Sequence, residues 1–169
     1  MQKPQEGEYR PYFDRYISLI DEGDMTTILR ENLKTGIGFF SSLPEHKHDY
    51  RYAEGKWTPK EVVMHLTDTE RVMSYRALVA ARGDSQTPLH SMDVNLYAFN
   101  ADVSNRTMDS LLREFAVVRA ATIALYEHMT EAKSQLTGNN IEYKITPRAL
   151  GYIMAGHIVH HINITKERY

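Results

Sequence analysis

Apolar residues recur along this chain at intervals of three and four, the spacing that places them on one face of an α-helix. No segment shows the strict alternation of apolar and polar residues that is typical of a β-strand. The pattern predicts four long helices, and a brief helix over residues 12–20 before them. The long helices are expected to begin after Asp24, Thr58, Thr107 and Thr146, each of which is a good N-cap residue.

Two of these helix starts carry further signals. Thr58 is followed by Pro59 and, three residues after the threonine, by Glu61, which is the pattern of a capping box with proline at the first helical position. Thr146 followed by Pro147 repeats the cap and the proline. Both starts are therefore expected at these residues.

The connection between the second and third long helices, residues 84–106, has no regular apolar period. Antiparallel neighbours need only short links, so a link of this length predicts two parallel helices joined by a crossover. A long loop in a small protein also tends to carry function. The predicted fold is all-α, a four-helix bundle with a long crossover, in one domain over residues 1–169.

Three histidines lie on apolar faces of the predicted helices. His157 and His161 are one turn apart on the last helix, so their imidazoles can point to one place. His65 lies on or beside the inward face of the second long helix. Taken singly, each could be a core histidine satisfied by a neighbour, but burying several without a shared partner is costly. Together they suggest an open divalent-metal site, with His160, about 60° from His157 around the helix, turned toward its rim.

Other metal chemistries fit the sequence less well. His157 is followed by Ile158 where a zinc protease motif needs glutamate. Glu61 and Glu70 are not placed as a di-iron bundle requires. The chain has no cysteine, so ligands must come from His, Asp or Glu. One mononuclear site is the preferred interpretation.

Residues around the crossover could surround such a site or simply order the loop and pack at helix ends. The aromatic candidates for a pocket wall are Trp57, Tyr75, Tyr97 and Tyr152. The polar candidates for its mouth are Arg76, Asp93 and Asn95. No role is predicted for His46, His48, His90 and His128.

The charge balance limits the partners that the chain can have. A net charge of −2 and an isoelectric point near 6.4 give no basic footprint for nucleic acid or an anionic membrane. No apolar run reaches membrane-spanning length, and the N-terminal residues do not form a signal peptide. A cytoplasmic location is expected.

Residues 52–71, 75–78, 82–84, 155–161 and 167–169 together resemble the DinB-like superfamily, which includes YfiT-type metal-dependent hydrolases and thiol S-transferases. The resemblance implies up-down-down-up topology, and zinc or nickel held by three histidines that match His65, His157 and His161. It also allows a homodimer. The loop run of the family has an acidic residue where this chain has Val94, so no acid–base role is expected there.

Two reactions follow for a metal with an open coordination position. Water activated by the ion can attack an amide or ester, or a low-molecular-weight thiol such as bacillithiol or mycothiol can attack an electrophile. Asp93, Asn95 and Tyr97 are the predicted contacts to a small-molecule substrate. The alternative is a non-catalytic metal-binding or stress-related bundle, which a fourth protein ligand would favour. DNA binding, the third hypothesis, is opposed by the acidic charge balance.

Overall fold

A computed structural model of the protein describes residues 1–140 and 143–169. Four long helices form its bundle: α2 (Met25–Ser41), α3 (Pro59–Ala81), α5 (Met108–Glu127) and α7 (Pro147–Arg168). The shorter helices are α1 (Asp14–Ile17), α4 (Val94–Asn100) and α6 (Glu131–Ser134), with 3-10 turns at Pro11–Phe13 and Glu45–Lys47. Strands β1 (Gly138–Asn140) and β2 (Tyr143–Ile145) pair antiparallel, with Gly138 opposite Ile145.

The predicted helix starts are confirmed, and their caps have the expected hydrogen bonds. The Thr58 hydroxyl accepts from the Glu61 backbone N–H at 3.2 Å, and the Glu61 carboxylate accepts from the Thr58 N–H at 2.7 Å. Asp24, Thr107 and Thr146 each accept a backbone N–H from the first turn of their helices. These polar side chains fix where each helix enters the bundle.

The topology is up-down-down-up, as predicted. Near the helix starts the Lys60 ammonium contacts the Ser104 carbonyl, and further along Arg71 pairs with Glu114 at 2.6 Å, so α3 and α5 run parallel. The hydroxyl of Tyr169, the last residue, donates to the backbone just ahead of α3, so α7 runs antiparallel to α3. The crossover therefore connects two parallel helices.

Three short elements differ from the sequence prediction. The crossover contains α4, which Asp93 caps by accepting the N–H groups of Asn95 and Leu96. The hairpin β1–β2 lies where only a polar link was expected, since its strands are too short to show alternation. The first helix is shorter than the predicted residues 12–20 and begins as a 3-10 turn.

The apolar spacing along the third long helix predicts an inward stripe that includes Val118 and Leu125, and the inward face of α5 differs from this stripe. Val118 and Leu125 are only partly buried, whereas Arg119 and Tyr126, each one position later, are buried. An apolar pattern does not count an arginine as an inward position. Arg119 is inward because Glu70 of α3 compensates its charge. Within the described ranges, no helix combines the length and apolar character needed to cross a bilayer.

Candidate metal centre

The antiparallel packing of α3 against α7 brings the three predicted histidines together. The Nε2 atom of His157 lies 3.1 Å from Nε2 of His65 and 3.0 Å from Nε2 of His161. The three ligand atoms all lie within 4.8 Å of one another. Three ring nitrogens thus face one point between the two helices.

Neighbouring side chains hold these rings in place. The Thr69 hydroxyl lies 3.4 Å from Nδ1 of His65, on the ring edge opposite the Nε2 that faces the centre. The Trp57 ring lies 4.6 Å from the His65 ring, and the Tyr16 ring lies 5.1 Å from the His157 ring. Contacts of this kind orient ligand imidazoles in metal sites.

Burial keeps the three imidazoles neutral. It lowers the pKa of His65 to about 4, because the charged ring would lose its hydration. Burial also holds the pKa values of His157 and His161 well below the usual range, and the neighbouring histidines lower them further. Neutral rings offer lone pairs to a cation.

The donor set fits a divalent cation. Nitrogens that share one ion at about 2.1 Å lie about 3.0 to 3.4 Å apart, depending on the coordination geometry. The two short Nε2 separations, 3.0 and 3.1 Å, fall in this range. Among the described residues, no carboxylate joins the three histidines as a fourth ligand. A bound ion would therefore keep open positions.

A cavity of about 440 Å³ opens onto this centre. All three histidines line it, and so do His160 and the aromatic rings of Tyr12, Phe13, Tyr16, Trp57 and Tyr143. No aspartate or glutamate from the described part of the chain lines it. A smaller cavity of about 240 Å³ is also lined by Trp57 and His161. The larger cavity has the size of a small-molecule site.

The structure separates the predicted aromatic wall residues into two groups. Trp57 lines both cavities. His160 lines the larger cavity, where its ring is 5.1 Å from the Tyr16 ring, and this agrees with the rim position predicted for it. Tyr75 is 54% exposed and lines neither cavity. Tyr152 is buried in the core and donates to the Met1 carbonyl. Neither tyrosine therefore forms part of the wall of these two cavities, and the packing alternative applies to Tyr152.

The predicted polar contacts occupy different places. Arg76 lines the larger cavity and Asn95 the smaller one. The Asp93 carboxylate caps α4 and lines neither cavity. Tyr97 is 45% exposed and also lines neither. Of the three predicted substrate contacts, only Asn95 borders one of these two cavities.

Sequence reasoning missed two features around the site. The aromatic segment 12–16 forms one wall, and its dense aromatic composition was the available signal. The second is a buried ion pair: Nη2 of Arg119 donates to Oε2 of Glu70 at 2.7 Å. Their Nε and Oε1 atoms are 2.6 Å apart but not aligned as a hydrogen bond. This pair joins α3 and α5 inside the bundle.

Comparison with known proteins identifies the family. The model of the DinB superfamily matches residues 28–164, so the chain belongs to the DinB superfamily, as the sequence resemblance predicted. No curated protein matches the chain.

Two solved structures are similar to this fold. One is YfiT from Bacillus subtilis, described as a probable metal-dependent hydrolase with an unusual four-helix bundle topology. Its TM-score is 0.70 at 20% identity, covering 98% of this chain and 90% of that chain. The other is a mycothiol-dependent maleylpyruvate isomerase, with a TM-score of 0.68 at 13% identity, covering 87% of this chain and 61% of that chain. At these identities the likeness establishes the fold.

Proposed function

We propose that this protein is a divalent-metal-dependent enzyme whose ion, zinc or nickel, is held by His65, His157 and His161. The observation that carries the proposal is the convergence of three neutral Nε2 atoms at the wall of an open cavity. When bound, such an ion supplies Lewis acidity and lowers the pKa of a coordinated water or thiol. The reaction is hydrolysis, or transfer to a low-molecular-weight thiol.

Residues of the chain itself orient the three histidine rings and cover the centre that they form. Thr69 and Trp57 fix the His65 ring, and Tyr16 covers His157, so the donor atoms are arranged before an ion arrives. The chain has no cysteine, so a thiol nucleophile would have to come from a cosubstrate. Asn95 and His161 line the same smaller cavity, which supports a contact between Asn95 and a molecule bound there.

The structural neighbours support both reaction classes. YfiT is described as a probable metal-dependent hydrolase, and the isomerase is described as mycothiol-dependent. A purely structural metal would favour a closed set of four protein ligands. The described residues supply three, beside a cavity large enough for a substrate, which favours catalysis over the non-catalytic alternative.

Elemental analysis of protein purified without an affinity tag tests the proposal. The wild type is expected to carry about one zinc or nickel ion per chain, as one three-histidine site allows. His161→Ala should lose it. His160→Ala is the matched control, because it removes the adjacent cavity-lining imidazole and should retain the metal. Metal-free wild type after incubation with either ion, or equal loss in both variants, would contradict the assignment.

An activity screen then separates the reaction classes. Esters, amides and electrophiles are incubated with the metal-loaded protein, with and without a thiol cosubstrate. Turnover that requires the thiol and yields an S-conjugated product identifies a transferase, and turnover without the thiol identifies a hydrolase. If the loaded protein turns over none of these compounds, the non-catalytic alternative is favoured.

A further inference from the structure

Arg76 shares one face of α3 with His65. The two residues are eleven positions apart, which is three helical turns, and Thr69, Val72 and Met73 of the same face line the cavity between them. Arg76 itself is only 4% exposed and also lines the cavity. A buried guanidinium therefore borders the same cavity as the three histidines.

The contacts of Arg76 leave its charge uncompensated. Nη2 donates to the His90 carbonyl at 2.5 Å, and Nη1 contacts the Met73 sulfur at 3.7 Å, a weak acceptor. Throughout residues 1–140 and 143–169, no carboxylate forms an ion pair with it. Arg119, which is equally buried, has Glu70 as its partner. Burying a charge without such a partner destabilises the fold. Proteins tolerate destabilising features of this kind mainly at functional sites.

Another charge at the cavity has the same sign. Arg15 lines it as well, with its guanidinium 4.0 Å over the Tyr12 ring. The described lining contains no acidic residue, although the whole chain has a net charge of −2. A concave site lined by one sign of charge concentrates ligands of the opposite sign.

We propose that the cavity binds a small molecule bearing a carboxylate that pairs with Arg76, while the reacting group of that molecule lies at the three-histidine centre. This inference rests on the proposed function. The Cα atoms of His65 and Arg76 are about 16 Å apart along the helix. The molecule is therefore elongated, with its carboxylate several bonds from the reacting group. The carboxylate can belong to the thiol cosubstrate or to its partner substrate.

Paired probes of equal length test the proposal on the metal-loaded protein. In the thiol arm, 6-mercaptohexanoate is compared with 6-mercaptohexanol; in the other arm, hexanoate is compared with hexanamide. Binding is measured by calorimetry and by the fluorescence of Trp57, the sole tryptophan, which lines the cavity. The carboxylate is expected to bind at least about tenfold more tightly in one arm or both, as a charge-assisted bidentate pair allows.

Variants assign this preference to Arg76. Arg76→Met should abolish the preference for the carboxylate. Arg76→Lys should keep part of this preference, because lysine retains the positive charge but lacks the two parallel N–H donors of the guanidinium. Arg82→Met removes an exposed arginine that follows the same helix and should leave the preference unchanged. The hexanoate arm is repeated after chelation, so that contact between carboxylate and ion cannot produce the result.

The outcomes distinguish the two proposals. Preference in the thiol arm alone places the carboxylate on the cosubstrate, and preference in the other arm alone places it on the second substrate. Equal binding within both pairs, or a preference that survives Arg76→Met, overturns the role of Arg76 even if the protein carries full metal. A preference that depends on Arg76 in protein that binds no metal supports the anion site and contradicts the proposed metal enzyme.

Discussion

The backbone of Tyr16 lies directly against Gly156. A Cβ atom at position 156 would stand 2.0 Å from the Tyr16 carbonyl oxygen and 2.5 Å from its carbonyl carbon, well inside van der Waals contact. Gly156 immediately precedes His157, whose ring lies 5.1 Å from the Tyr16 ring. Helix α1 can therefore cover the histidine centre because α7 has no side chain at this position.

Gly156→Ala should displace α1 from α7. The obstacle is backbone rather than a movable side chain, so we expect the free energy of unfolding to fall by roughly 2 to 3 kcal/mol, at the upper end of overpacking costs. Urea unfolding followed by circular dichroism measures this change. Gly38→Ala on α2 is the control, because nothing lies within 4 Å of its added Cβ and alanine favours helix. Equal stability of the two variants would show that α1 does not pack this closely.

The buried pair Glu70–Arg119 should be sensitive to removal of one partner. Both side chains are at most 2% exposed, so Glu70→Ala leaves an uncompensated charge inside the bundle. The expected loss is about 3 to 5 kcal/mol in the free energy of unfolding. Replacing both residues with methionine should recover much of this loss, because neither charge then remains buried.

An exposed pair provides the comparison for this prediction. Arg30 and Glu127 are 3.2 Å apart with half of each side chain exposed. Glu127→Ala should change stability by no more than about 1 kcal/mol, because solvent screens the pair. If Glu70→Ala costs no more than Glu127→Ala in the same denaturation series, the interior of the bundle solvates Arg119 by other means.

The fold was largely predictable because its signals are local. Thr58 and Thr146 start helices by hydrogen bonds within a few residues, and the long unpatterned link requires a crossover. Helix α4 and the hairpin were missed because elements of a few residues carry too little periodicity. The predicted stripe on α5 failed at Arg119, since its burial depends on a partner from another helix.

The site was predictable only in part, because contacts between different helices leave no local signal in the sequence. The pair His157 and His161 follows from helical spacing, whereas the approach of His65 depends on how α3 and α7 pack. Aromatic residues cannot be assigned to a wall or to the core from spacing, and Tyr152 proved to be core. The wall formed by Tyr16 depends on a tertiary contact that no local pattern marks.

Glu8 should make stability depend on pH. Its carboxylate accepts from Nε of Arg148 at 2.6 Å and from the Thr146 hydroxyl at 2.8 Å. Burial raises the pKa of Glu8, but these hydrogen bonds and the Arg148 charge more than offset it, so the pKa lies below its ordinary value of 4.5. A carboxyl with a lowered folded pKa stabilises the protein above the unfolded value, and this stabilisation is lost as the pH falls through the folded pKa.

Glu8→Gln is therefore expected to unfold more easily than the wild type near neutral pH. The difference should shrink as the pH falls from about 6 to about 3, since the wild-type carboxyl then becomes protonated. Urea titrations across this range measure it. Glu6→Gln, an exposed position two residues earlier, should show no such convergence. If the difference between Glu8→Gln and the wild type stays constant across this pH range, protonation of Glu8 does not contribute to the loss of stability in acid.

Metal binding should be visible through Trp57. Its ring lies 4.6 Å from that of His65 and 6.5 Å from that of His161, and it is the sole tryptophan. Titration with nickel or zinc should change its emission up to about one equivalent, and a chelator should reverse the change. The ion should also raise the free energy of unfolding by about 2.7 kcal/mol at a hundred times its dissociation constant.

His65→Ala tests whether this signal arises at the proposed centre. The variant keeps Trp57 but lacks one of the three ligands, so both the emission change and the added stability should be lost or strongly weakened at the same metal concentration. His128→Ala removes an exposed histidine at the end of α5 and should behave as the wild type. An undiminished response in His65→Ala would mean that the ion binds elsewhere, because the cluster among the described residues consists of these three histidines.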